Sequence, residues 1–242
     1  MIFLPYIMFG GRAIIYIILA LLPAIFLMRY IYRLDSIEKE PRDLLVKLVL
    51  AGVAAALVSI LLESAGSYIL NIAELPPDAP AYHIITAFLI VAVAEEGTKF
   101  FFMYRRSWKH PAFNYKFDGI VYSVFTSLGF AAFENIIYVF NYGPAAILSR
   151  AVLSIPGHMN FAIVAGLFYG RAKVCERYGD MEKKKSNIIR GLVFAIILHG
   201  FYDACLMIGT SLTMCLFFVF VIVFYIYIFR LLKREAATDT PI

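Results

Sequence analysis

Two adjacent glutamates and a lysine, Glu95, Glu96 and Lys99, stand inside an otherwise apolar stretch, residues 82–104, long enough to cross a bilayer. An ionisable side chain near a bilayer centre costs about 2.5–3.5 kcal/mol on insertion scales, so two together need compensation. Lys99 is i,i+4 from Glu95 and i,i+3 from Glu96, on the same helix face, and can supply part of it. Three further apolar stretches carry groups of the same kind: Glu134 in Gly-Phe-Ala-Ala-Phe-Glu-Asn, His158 in Pro-Gly-His-Met-Asn, and His199 with Asp203 in His-Gly-Phe-Tyr-Asp. His199 and Asp203 are again i,i+4, so the carboxylate can orient the ring and fix its tautomer. Buried carboxylates beside imidazoles offer a base to activate water and donors for an oxyanion.

The elements that must position these groups follow from composition. With 62% hydrophobic and only 16% charged residues, the 242-residue chain is an all-α, polytopic transmembrane helix bundle and not a water-soluble core. Seven spans are predicted at about 6–31, 44–70, 82–104, 117–142, 147–170, 187–207 and 211–232. No small-residue cleavage site follows the first, which reads as a retained helix. Removing the spans leaves no soluble domain, so residues 1–242 read as one membrane domain, with 171–186 as a charged loop.

Basic residues fall on one side. Of the 22 Lys and Arg, 19 flank the loops after the first, third and fifth spans or the tail, leaving Arg12, Lys99 and Arg150. The positive-inside rule then gives an outside N-terminus and a cytoplasmic C-terminus. With 1.5 Å of rise per residue, Glu95 lies about 18–20 Å from the outer end, His158 about 16 Å, His199 and Glu134 about 12 Å, and Asp203 about 6 Å. The polar groups therefore share a slab between midplane and outer leaflet. Ser123, Ser127 and Ala131 share the face of Glu134, and Ala162, Gly166 and Gly170 follow His158 at fourfold spacing, a pattern that lets helices approach closely.

The net charge of +5 reads as a cytoplasmic rim, so no nucleic-acid partner is expected. Cys175, Cys205 and Cys215 have neither disulfide nor metal-ligand spacing and read as packing residues. Glu63 reads as an interhelical or cavity acid, Asp118 as a helix-opening residue favoured by the dipole, and Trp108 as part of the inner interfacial belt. A cation or proton transporter also buries carboxylates near the midplane, but the repeated halves and interrupted helices of such folds are not visible here. A non-catalytic scaffold needs no base, and the paired glutamates argue against it.

In order and spacing, Glu95-Glu96-Gly-Thr-Lys99, Phe130-Ala-Ala-Phe-Glu134 and His199-Gly-Phe-Tyr-Asp203 resemble the EExxK, FxxxE and HxxxD motifs of the PrsW family of bacterial intramembrane proteases. Asp118-Gly-Ile-Val-Tyr is also similar to the family, and His158 stands in the place of a further family histidine. The resemblance covers about residues 90–207. The wider superfamily is similar to the type II CAAX prenyl proteases, whose second motif ends in His where this chain has Glu134. The resemblance implies a multi-pass protein of the bacterial cell membrane, in contact with membrane lipid, that hydrolyses a peptide bond of a single-pass membrane substrate, with anti-sigma factors as the family's substrate class. It also implies Glu95, Glu96 and His199 as essential groups.

Two mechanisms are open on these residues. In the first, the one favoured here, no cofactor is needed: Glu95 or Glu96 is the base, His158 helps position the water, and His199, oriented by Asp203, serves the oxyanion or the leaving amine. Lys99 then keeps the second glutamate ionised, and Glu134 is a supporting group. In the second, zinc is held by His158, His199 and either Glu95 or Glu134, with an open position for water. The site lies in the outer half of the membrane, so cleavage is expected near the extracytoplasmic boundary of the substrate.

Overall fold

A computed structural model describes residues 11–242, and these are helical almost throughout, with no strand among them. Seven helices follow one another: α1 (Gly11–Leu34), α2 (Arg42–Ile72), α3 (80–107), α4 (Asp118–Tyr142), α5 (Ala145–Arg177), α6 (Met181–Ile208) and α7 (Ser211–Ala237). Each matches one predicted span, although the first five residues of the first span lie outside the described residues. Six of the seven are long and apolar enough to cross a membrane. The exception is α3. It runs as an α segment Pro80–Ile85, a π segment Thr86–Ala92 and an α segment Val93–Ser107, and the last of these carries both acids and Lys99. A π segment also interrupts α5, at Arg150–Ser154.

The ends of the helices obey local chemistry. Pro80 opens α3 at its first turn, where a missing N–H costs nothing. Gly143 ends α4 at φ +81°, with Pro144 next, and Gly209 ends α6 in the left-handed conformation. Thr210 caps α7 by accepting from the Thr213 N–H at 3.2 Å.

The predicted charged loop 171–186 is mostly helix. α5 runs on to Arg177, α6 begins at Met181, and the turn between them holds only Tyr178, Gly179 and Asp180. Lys, Arg and Glu are good helix formers, so charge ends the membrane span there without ending the helix. Asp180 starts α6 by accepting from the Lys183 N–H at 3.0 Å. Trp108, read as part of the inner interfacial belt, is buried at this end of the bundle. It stacks on Tyr104 with ring centroids 5.0 Å apart and donates to Glu176 Oε1 at 3.1 Å, so charges on the end of α5 have drawn it inward.

α4 is the axis of the bundle, packing on α1, α2 and α5, while α6 lies along α5 and the π segment of α3. Its seams are lined by small residues. A Cβ on Gly52 of α2 would lie 2.0 Å from the Thr126 carbonyl oxygen, and one on Gly166 of α5 would lie 2.6 Å from that of Gly119. Fourfold small spacing thus allows backbone-to-backbone contact on both flanks of α4.

At the end bearing the basic loops, the α1–α2 turn buries Asp35 and Glu40 against the start of α4. Tyr122 donates to Glu40 Oε2 at 2.6 Å, and Asp118 Oδ2 accepts from the N–H groups of Asn114 and Tyr115 at 3.0 and 2.7 Å. Burial pushes the Glu40 carboxyl up to about 7, against the lowering effect of the Tyr122 hydroxyl. Burial likewise raises Asp35 to about 6. Between the unfolded value near 4.5 and the folded value near 7, the native state holds the extra proton, so stability falls as pH rises through that window. Glu40→Gln keeps an acceptor for Tyr122 and has no proton to lose. Its melting temperature in detergent should vary less than the wild type's between pH 5 and 8 and exceed it at pH 8, as read by thermal unfolding at both pH values.

Candidate functional site

The polar groups singled out in four separate stretches meet in one place. Glu95 and Glu96 occupy the first turn after the π segment of α3, and both are buried. Lys99, one turn on, places Nζ 2.9 Å from Glu95 Oε2, 2.9 Å from Glu96 Oε1 and 3.1 Å from His158 Nδ1 on α5. Its three hydrogens are thereby all used. Phe130 of α4 closes the remaining side, with its ring centroid 4.1 Å from Nζ, so the ammonium is held in a dry, fully directional setting.

Each histidine meets a carboxylate at Nε2 and a second charged side chain at Nδ1. His199 of α6 places Nδ1 2.9 Å from Glu96 Oε1 and Nε2 3.3 Å from Asp203 Oδ2, so Glu96 shares with Asp203 the orienting role expected of Asp203 alone. Phe161 stacks on the His199 ring at 5.1 Å and 18°, which fixes its plane. His158 places Nε2 3.1 Å from Glu134 Oε2 on α4, and its backbone carbonyl accepts from Ser127 Oγ at 3.0 Å. The two imidazoles stand edge to face, 5.3 Å between centroids.

These groups border a cavity of about 590 Å³. Glu95, Glu134, His158, His199 and Asp203 line it, whereas Glu96 and Lys99 line a second, smaller cavity with Phe100, Ser123 and Ser127. The two glutamates thus face different ways. Glu95 presents a carboxylate to the open side; Glu96 backs the site, tied to Lys99 and His199. The larger cavity is lined by the C-terminal halves of α2, α4 and α6 and the N-terminal part of α5, so it lies toward the end of the bundle away from the basic loops.

Two further charged residues, outside the set expected to form the site, also line this cavity. Glu63 of α2 faces the cavity, in keeping with its reading as a cavity acid. Arg150 is the larger omission. Its Nη2 donates to Glu134 Oε2 at 2.7 Å, its Nε donates to Asn135 Oδ1 at 2.9 Å, and its guanidinium lies 3.8 Å from the Tyr138 ring centroid. Several carboxylates in one pocket call for more positive charge than one lysine, and Arg150 provides it. The signal was its position: it is one of three basic residues outside the positive-inside pattern, and another of them is Lys99.

One ligand atom from each of Glu95, Glu96, His158 and His199 falls within 4.8 Å of the others. Two imidazoles and two carboxylates are the N and O donors that zinc accepts, so the set fits such an ion in kind; in a zinc tetrahedron the donors stand about 3.3 Å apart, so it would have to tighten. Glu134, named as a possible ligand from the sequence, stands outside this set and bonds His158 on the nitrogen away from Lys99.

Residues 40–229 match the family model for PrsW family intramembrane metalloproteases. The chain belongs to the PrsW family. It is 32% identical over 212 residues to "Protease PrsW" of Clostridioides difficile, covering 86% of each chain. To the protein of that name from Oceanobacillus iheyensis it is 32% identical, covering 89% of this chain and 94% of the relative, and to that of Bacillus subtilis 26%, covering 89% and 92%. No solved structure matches the chain. PrsW family membership and the six apolar helices make this a multi-pass bacterial membrane protein.

The ion-pair geometry carries a stability prediction. Removing one partner of a buried pair leaves its counter-charge uncompensated, at a cost of about 3–5 kcal/mol. Lys99→Met should therefore lower the melting temperature strongly, and adding Glu95→Gln and Glu96→Gln to it should recover much of the loss. Thermal unfolding of the purified single and triple variants measures both.

Proposed function

We propose that the chain hydrolyses a peptide bond of a single-pass, membrane-anchored protein at the cavity, with Glu95 as general base. The observation that carries this reading is the division of labour between the paired glutamates: Glu95 faces the cavity beside both histidines, while Glu96 is enclosed by Lys99 and His199. In the proposed reaction, Glu95 takes a proton from water as its oxygen adds to the scissile carbonyl carbon. His199 lines the same cavity, and its Nε2, 3.3 Å from Asp203 Oδ2, turns its hydrogen bond from that carboxylate to the oxyanion that forms. When the C–N bond breaks, the leaving nitrogen takes the proton from Glu95, and the products part as a carboxylate and an amine. His158, with Nδ1 4.0 Å from Glu95 Oε2, bounds the position of the water, and Lys99 holds both glutamates in place.

The family description favours a second reading, in which Glu95, Glu96, His158 and His199 hold zinc. When bound, the ion would polarise the carbonyl and lower the pKa of water. We favour the cofactor-free mechanism because Lys99 already supplies positive charge to three of those four residues. The substrate class follows the family resemblance, an anti-sigma-factor-like protein. The place of the cavity, at the end away from the basic loops, supports a cut near the extracytoplasmic boundary.

The test is to reconstitute the purified chain in vesicles with membrane proteins extracted from its host and to map new termini by mass spectrometry. Glu95→Gln should reduce cleavage by more than 10²-fold and His199→Ala by at least 10²-fold, as expected for removal of a base or an oxyanion donor. Undiminished cleavage in both variants refutes the assigned site. Elemental analysis alongside activity in chelator separates the mechanisms: full activity in chelator is expected, and stoichiometric zinc whose removal abolishes cleavage overturns the cofactor-free one.

A further inference from the structure

We propose that Arg150 is a positioning residue of this site, acting through Glu134 to fix the ring orientation and tautomer of His158. The inference rests on the reading of the cavity as the place of hydrolysis. Arg150 is only 9% exposed within an apolar helix, at the start of the π segment of α5. It is held on three sides, by Glu134, by the Tyr138 ring and by Asn135, whose Nδ2 in turn donates to the Ala20 carbonyl of α1 at 2.6 Å. A cation anchored this fully is poorly placed to bind a passing ligand and well placed to hold a neighbour still.

That neighbour is Glu134. One of its oxygens, Oε2, meets both Arg150 Nη2 at 2.7 Å and His158 Nε2 at 3.1 Å. The other ring nitrogen of His158 meets Lys99 Nζ, which has only hydrogens to offer, so while this contact is kept Nδ1 presents a lone pair. The hydrogen of the ring is then on Nε2, and Glu134 accepts it. The guanidinium keeps the carboxylate aimed at that hydrogen. Without it, Glu134 is free to swing away and the hydrogen can occupy Nδ1, where it points at the ammonium. Lys99 would then lose one of three acceptors, and its hold on Glu95 and Glu96 would loosen. A line of contacts from Ala20 on α1 to the acidic pair on α3 passes through Arg150.

The chain has four histidines, His83, His110, His158 and His199, few enough for selective ¹⁵N-histidine labelling of the full chain in lipid vesicles. In the wild type, the His158 side chain should show hydrogen on Nε2 and a lone pair on Nδ1, assigned by the loss of those signals in His158→Gln. Arg150→Ala should convert this to a mixture of tautomers and lower kcat by about 10²-fold, the scale of a small misplacement of a catalytic group. Added guanidinium chloride should restore both, whereas equimolar sodium chloride should not. A His158 signal unchanged in Arg150→Ala overturns the proposal, and so does a change that guanidinium leaves in place. If Arg150→Ala does not fold, Arg150→Lys keeps a cation but not the paired donors; its His158 signal should still depart from wild type, and an unchanged one overturns the proposal. A wild-type chain that cleaves nothing refutes the hydrolysis reading, while the tautomer measurement judges Arg150 by itself.

Discussion

A buried ammonium with three hydrogens and three acceptors governs the arrangement of this bundle. Lys99 ties its own helix to α5 through His158, and the glutamates it holds extend the tie, since Glu96 also engages His199 of α6. Glu134 adds α4 by bonding His158 from the other side. Removing any one charge would strand another in a medium that cannot solvate it. Buried ion pairs rarely stabilise a fold more than well-packed apolar residues of the same size would. On the hypothesis that they are kept for specificity, the network selects which helix faces meet, and the packing seams supply most of the stability.

Those seams run along α4. Gly52 on one flank and Gly166 on the other bring neighbouring backbones against it, with no room for a side chain between them. The wall that carries Glu134 and Phe130 is therefore closely packed on both flanks. Across the cavity, π segments lead into Glu95 on α3 and into His158 on α5. A wider helical turn shifts the face that following residues present, and π segments are frequent at functional sites for that reason. Here both precede the site residues of their helices and bring them against this closely packed wall.

Hydropathy and motif spacing made much of this legible. Seven apolar stretches became seven helices, and three- and four-residue spacings correctly placed Lys99 beside both acids and Asp203 beside His199. What could not be read was set by contacts between helices. The helical course of the charged stretch after Gly170 depends on a cap at Asp180, and the burial of Trp108 depends on Glu176 one helix away. Glu95 and Glu96 are alike in sequence; the helix turns them about 100° apart, and the packing of the neighbouring helices decides which of the two meets the larger cavity. Arg150 stood apart in the charge pattern, but its partners Glu134 and Asn135 lie on the preceding helix, across a turn that a linear reading does not fold.

Hydrolysis within a membrane requires that water reach a group lipid would otherwise surround. The cavity has a mixed lining: Glu63 and Asp203 supply polar groups, while Ile60, Leu206 and Met207 give it an apolar margin. A segment of substrate could rest on that margin while water approaches along the polar side. Glu95, the proposed base, lines the same cavity. Glu96, one residue on, is shut away with Lys99 in the dry part of the structure, where a lost counter-charge is most costly. Adjacent positions on one helix thus have opposite settings, one carboxylate on the larger cavity and the other committed to holding the helices around it.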